Sequence, residues 1–260
     1  MISIHLRRLC KRYESRQGSV MALQDIDLDV QRGEFVSIVG PSGCGKSTLL
    51  YLIGGFLRAD EGDIVARGKH VTGPGTDRGI VFQEYALFPW LTVWGNIEYG
   101  LKSMNMAAAE RRQIVERYVG LIGLKGFENS YPRELSGGMR QRVAIARTLA
   151  YEPEILLLDE PLGALDAQTR ENMQDELLRI WKATGKTVVM VTHDVTEAVY
   201  LSSRVIIMSR RPGRIVEDVP VALDRSANRE QTMLSDAFNG LRNHVWLSVR
   251  RQVDASVSAA

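Results

Sequence analysis

Residues 40–48 read Gly40-Pro41-Ser42-Gly43-Cys44-Gly45-Lys46-Ser47-Thr48. They satisfy G-x-x-x-x-G-K-[ST], follow the apolar run 35–39, and open the apolar segment Leu49-Leu50-Tyr51-Leu52-Ile53. Strand, glycine-rich loop and helix are therefore expected in the order a phosphate cradle requires. The glycines let backbone N–H groups turn inward onto an anion, and the N-terminus of the following helix adds positive potential. Lys46 is expected to reach the β and γ oxygens of a nucleotide, and the Ser47 hydroxyl to ligate Mg²⁺. A glycine-rich run alone reads equally as a turn; the strand before and the helix after favour a nucleotide site.

Outward from the cradle, 79–82, 155–158, 187–191 and 205–208 are short apolar runs, several without polar alternation, as buried parallel strands are. Ile26-Asp27-Leu28-Asp29-Val30 alternates like a half-exposed strand. Between 84 and 153 the texture becomes helical, with Ile114, Val115, Val119 and Ile122 at helix spacing behind a charged run. This middle is expected to be a helical insertion within one domain of 260 residues. A tail from about 226 to 260 carries Leu234, Phe238, Leu241, Val245 and Val249 at amphipathic-helix spacing, packed back on the domain.

Composition narrows the partners. The 33 Lys+Arg against 31 Asp+Glu leave a formal charge of +2, with no block of like charge to follow a nucleic-acid backbone. The two cysteines, Cys10 and Cys44, make neither a disulfide framework nor a zinc pair. No run approaches the roughly 20 apolar residues that cross a bilayer, and the first residues lack a signal-peptide pattern. Any membrane role is expected to come through a partner.

Ile155-Leu156-Leu157-Leu158-Asp159-Glu160 is an apolar run ending in two carboxylates and stopped by Pro161. Asp159 is placed to join a Mg²⁺ shell, and Glu160 to polarise a water near the γ-phosphate. His193 closes the run 188–192, at a strand end where ligands of α/β sheets gather. Cys44 has two readings: a thiolate favoured by Lys46 and the helix N-terminus, or merely a small loop residue.

Leu135-Ser136-Gly137-Gly138-Met139-Arg140-Gln141-Arg142, followed by Val143-Ala144-Ile145-Ala146-Arg147, resembles the signature motif of ABC ATPases. The resemblance extends over nearly the whole chain. By it, Tyr13 is similar to the adenine-stacking aromatic and Gln83 to the Q-loop glutamine, which serves both catalysis and Mg²⁺. Gly163-Ala164-Leu165-Asp166 resembles the D-loop and His193 the switch histidine. What this implies is an α/β fold: a P-loop NTPase (RecA-like) core with an N-terminal antiparallel β subdomain and an inserted helical subdomain. The implied cofactors are ATP and Mg²⁺. Ser136 should cap a helix whose N–H groups at Gly137 and Gly138 form an anion site, with Leu135 and Asp166 beside it. The family implies that this site takes the phosphate of ATP held by a second copy, so that a head-to-tail homodimer hydrolyses. The family pattern has Gln where this chain has Met139, and Gln141 is left open as a substitute.

Related head domains also serve DNA repair, chromosome organisation and translation, but those would show a long heptad insertion, zinc cysteines or tandem cassettes. Leu87, Phe88, Trp90 and Trp94 cluster just after Gln83. Such a cluster is usually core; here it resembles the groove that receives a coupling helix from a transmembrane permease. Phe88-Pro89-Trp90 and Arg211-Pro212-Gly213-Arg214 resemble the nitrate, sulfonate and taurine importer group. The expected function is the motor of such an importer, peripheral on the cytoplasmic face of the plasma membrane, with a periplasmic or surface binding protein acting indirectly. An exporter, or an importer for another substrate class, stays as the alternative.

Overall fold

A computed structural model describes residues 1–15, 18–225 and 228–254 of the chain; the remainder of the tail placed at 226–260 lies outside the described residues. In chain order the elements are β1 (Ile2–Ser15), β2 (Gly18–Gln31), β3 (Phe35–Val39), α1 (Lys46–Gly54), β4 (Glu61–Ala66), β5 (Lys69–His70) and β6 (Arg78–Val81). There follow α2 (Val93–Lys102), α3 (Ala108–Leu121), α4 (Gly137–Ala150), β7 (Ile155–Asp159), α5 (Ala167–Thr184) and β8 (Thr187–Val191). The chain ends with α6 (Val195–Leu201), β9 (Arg204–Met208), β10 (Ile215–Pro220), α7 (Arg229–Leu234) and α8 (Asp236–Asp254). The residues group into two compact units, Met1–Gly75 with Lys186–Ala260, and Thr76–Gly185.

In the first unit β2, β1, β4 and β5 form an antiparallel sheet in that order. The alternation read in β2 is real: Ile26, Leu28 and Val30 are buried, while Asp29 faces Arg7 at 2.8 Å and His5 at 2.6 Å. β3 lies between β8 and β9 and runs parallel to both. All five residues of β3 and of β8 are buried, which is why these runs carry no polar alternation. β10 departs from that pattern by pairing antiparallel with β9. The expected tail helix is two helices. Ser235 ends α7, its hydroxyl donating to the Thr232 carbonyl at 2.7 Å and accepting from Phe238 N at 3.2 Å as α8 begins. Phe238 and Val245 of α8 are buried, whereas Leu234 is exposed.

In the second unit β6 and β7 pair in parallel, and every residue of β7 is buried. Three of this unit's helices start where a side-chain oxygen accepts from an otherwise unpaired N–H group, whereas α3 begins at Ala107 without one. Thr92 caps α2 through Gly95 N (3.1 Å), Ser136 caps α4 through Met139 N (3.3 Å), and Asp166 caps α5 through Thr169 N (3.0 Å). α2, α3 and α4 pack on one another around Ile97, Val115, Val119 and Leu149.

Candidate functional site

The first unit carries the cradle. Residues 40–45 leave the end of β3 and turn into α1, whose N-cap Gly45 is left-handed (φ 105). A Cβ at Gly45 would fall 2.7 Å from Leu23 Cδ2, so any larger residue would be both strained and crowded. Lys46 is buried, and its Nζ donates to the carbonyls of Gly40 (2.9 Å) and Pro41 (3.1 Å), which curls the loop around the ammonium. Ser42 and Gly43 are exposed; Pro41, Ser47 and Thr48 are half-buried. The exposed Tyr13 ring stands at this loop, its hydroxyl 3.3 Å from Thr48 Oγ1 and Lys11 Nζ 5.7 Å from its centroid. The end of β8 leads into an exposed His193.

The surroundings of Cys44 decide between its two readings. It is 1% exposed, and burial pushes its thiol up, outweighing Lys46 and the backbone N–H groups that favour the thiolate. Burial thus favours the reading as a small loop residue with a protonated thiol over that of a favoured thiolate.

The second unit carries the carboxylates. Asp159 is buried at the end of β7, and Glu160 follows with φ 44, a left-handed conformation that a non-glycine residue holds only under constraint. Gln83 Nε2 donates to Glu160 Oε2 at 3.5 Å. The Gly163 N–H donates to the Glu160 carbonyl at 3.1 Å, turning the chain back beneath the carboxylate. Ser136 is exposed at the start of α4, Leu135 is buried, and Gly138 lies against the Thr169 methyl of α5. Asp166 is exposed, and the Thr169 N–H holds its carboxyl below the usual range. The signature segment and Asp166 are therefore brought together within this unit. Gln141 is fully buried, so its amide faces inward and does not take the place of a polar side chain at Met139.

The aromatic segment after Gln83 is a preformed surface. Phe88 lies 5.5 Å from Trp90 and 4.3 Å from Tyr99, and Trp90 and Tyr99 are exposed; Leu87 is half-buried. Two residues that hold it were not singled out from the sequence. Asn96 is fully buried and bonds the backbone of residues 88–92. Arg147 Nη1 donates to the Ala86 carbonyl at 2.6 Å, and its guanidinium covers the Phe88 ring at 5.3 Å. A polar residue inside an otherwise apolar helix face was the available signal for Asn96. Among the described residues no helix is long and apolar enough to cross a membrane.

A family model described as ABC transporter matches residues 23–163. The chain is 51% identical over 211 residues to the nitrate import ATP-binding protein NrtD of Synechocystis sp., covering 81% of this chain and 79% of that one. It is 46% identical to the taurine import ATP-binding protein TauB of Roseobacter denitrificans, covering 83% and 81%. The fold is similar to a dimeric structure of a post-hydrolysis state of the ATP-binding cassette MJ0796 bound to ADP and Pi. That match has a TM-score of 0.73 and 35% identity, and covers 84% of this chain and 99% of the other. The family match runs unbroken through the cradle, the carboxylate pair and the Ser136-capped helix, so this chain belongs to the ABC transporter family as an ATP-binding, ATP-hydrolysing cassette.

Proposed function

We propose that the chain is the motor subunit of an importer for a small anionic or zwitterionic nutrient of the nitrate, sulfonate or taurine kind. It would work as a head-to-tail homodimer at the cytoplasmic face of the membrane. The observation that carries the hydrolytic part is Glu160, held in a left-handed conformation at the end of a buried strand with Gln83 on its carboxylate. The constrained backbone sets where the carboxylate leaves the strand, at a position that suits a base polarising a water. Lys46 and the N–H groups of 40–48 bind the phosphates, Tyr13 stacks on the adenine, and His193 hydrogen-bonds the γ-phosphate or the water.

The Ser47 hydroxyl, the Asp159 carboxylate and the Gln83 amide oxygen are all hard oxygen donors, the set that Mg²⁺ prefers. They would hold the ion, which when bound neutralises charge on the β and γ oxygens. Ser136, Gly137 and Gly138, with Leu135 and Asp166 beside them, contact the nucleotide held by the second copy; the dimeric, ADP- and Pi-bound MJ0796 cassette supports the pairing of two copies. The exposed Trp90 with the half-buried Leu87 and Phe88 receives the permease, and a substrate-binding protein outside the membrane acts through that permease. The nitrate and taurine import relatives support the substrate class.

The test is Glu160→Gln in the complex assembled with its permease. We expect ATP binding to persist, hydrolysis and uptake of nitrate, taurine or an alkanesulfonate to stop, and ATP to lock the two subunits together. Retained hydrolysis would remove Glu160 from its role, and wild-type uptake of none of the three solutes would remove the substrate class.

A further inference from the structure

The turn after β9 is built against the phosphate cradle. It closes on itself through Ser209, whose N–H donates to the Arg214 carbonyl (2.9 Å) and whose hydroxyl oxygen accepts from Arg214 N (2.9 Å). Its far side is stitched to β2: Gly213 N–H donates to the Ala22 carbonyl at 2.9 Å, and its carbonyl accepts from Gln24 N at 3.0 Å. Gly213 sits so close to the cradle that a Cβ there would lie 2.1 Å from the Cys44 carbonyl oxygen. Two residues earlier, the exposed Arg211 reaches Gly43, its Nε and Nη2 both 3.3 Å from that carbonyl oxygen. The Gly43–Cys44 peptide is therefore gripped at its oxygen by a guanidinium, while its N–H closes the turn to the Pro41 carbonyl at 3.3 Å.

We propose that Arg211 is a positioning residue for nucleotide binding. By anchoring the Gly43 carbonyl from a turn that is itself fixed to β2, it keeps the phosphate loop in the curled form. A loop held in its binding form loses less conformational freedom when a phosphate arrives, so the anchor acts on affinity. The hydrogen bonds in a chain also polarise one another, and a cation at one peptide oxygen strengthens the N–H of the same peptide as a donor. Arg211 lies near the surface and supports no core packing, so its loss leaves stability intact.

This inference rests on reading residues 40–48 as the nucleotide cradle, and Lys46→Ala serves as the control for that reading. The experiment is titration of the intact chain with a fluorescent ATP analogue and Mg²⁺, beside thermal melting without nucleotide. Arg211→Ala should weaken the nucleotide by about fivefold, less than for a buried charged bond because the contact is long and solvated. Its melting temperature should match the wild type, and Arg211→Lys, which keeps a charged donor, should recover most of the affinity. Affinity within about twofold of wild type in Arg211→Ala, or a loss of affinity that follows a fall in melting temperature and is not rescued by lysine, overturns the proposal. Binding lost in Lys46→Ala but normal in Arg211→Ala overturns only the role of Arg211. Normal binding in Lys46→Ala overturns the cradle reading itself.

Discussion

Replacing Asn96 by alanine tests whether the turn that shapes the aromatic surface is held by one buried amide. Asn96 Oδ1 accepts from the Phe88 N–H at 2.9 Å, and its Nδ2 lies 3.2, 3.0 and 3.0 Å from the carbonyls of Phe88, Leu91 and Thr92. One side chain thus satisfies both ends of Phe88 and closes residues 88–92 onto the first turn of α2. The residue is 0% exposed, so water cannot replace these bonds without opening the turn. Alanine removes one acceptor and two shared donors at about 1 kcal/mol each and leaves the Phe88 N–H unpaired, a total of about 2–4 kcal/mol. In urea, with unfolding followed by tryptophan fluorescence, the midpoint should fall by roughly 1 M. Aspartate keeps the shape and the acceptor but faces three carbonyls with a carboxylate, so Asn96→Asp should be at least as unstable at neutral pH. A loss below about 0.5 kcal/mol in Asn96→Ala, the range of an ordinary surface change, would refute the reasoning.

Cys44 and Cys10 are both buried, and burial raises the Cys44 thiol, so neither should alkylate at neutral pH in the folded chain, though both should after unfolding. Rapid native alkylation of Cys44, read by mass spectrometry, would contradict this. Helix α8 is tied to β10 through Glu217, which accepts from the Ser248 hydroxyl at 2.6 Å and is paired with His244. The Ser248 hydrogen bond, with help from His244, holds the Glu217 carboxyl below the usual glutamate range. A depressed carboxylate stabilises the fold above its unfolded pKa and loses that contribution as pH falls through the folded value. Ser248→Ala should cost about 1 kcal/mol at neutral pH, because Glu217 is only partly shielded, and the deficit should shrink in acid. A deficit that stays constant with pH would sink this assignment.

Short-range pattern accounts for what could be read without coordinates. The cradle is a local motif, strand then glycine loop then helix, and β3, β7, β8 and β9 are continuous apolar runs because those strands are covered on both faces. The Ser136 cap was likewise legible, since a cap involves residues only three apart. β1 shows no regular alternation: its pattern breaks at Arg8, where φ 44 and a register shift move Leu9 and Cys10 inward after Ile4 and Leu6. The tail pattern of 234–249 passed across Ser235 because periodicity does not register a cap inside it.

The chain by itself thus determined the family, the nucleotide motif and most of the buried strands, each of them a matter of residues close in sequence. Tertiary structure alone decided the state of Cys44, the inward turn of Gln141, the work of Asn96 and the grip of Arg211 on Gly43. Arg211 and Gly43 are separated by 168 positions. Desolvation and hydrogen bonding depend on what surrounds a side chain in space, and for these four residues the packing of the fold decides it.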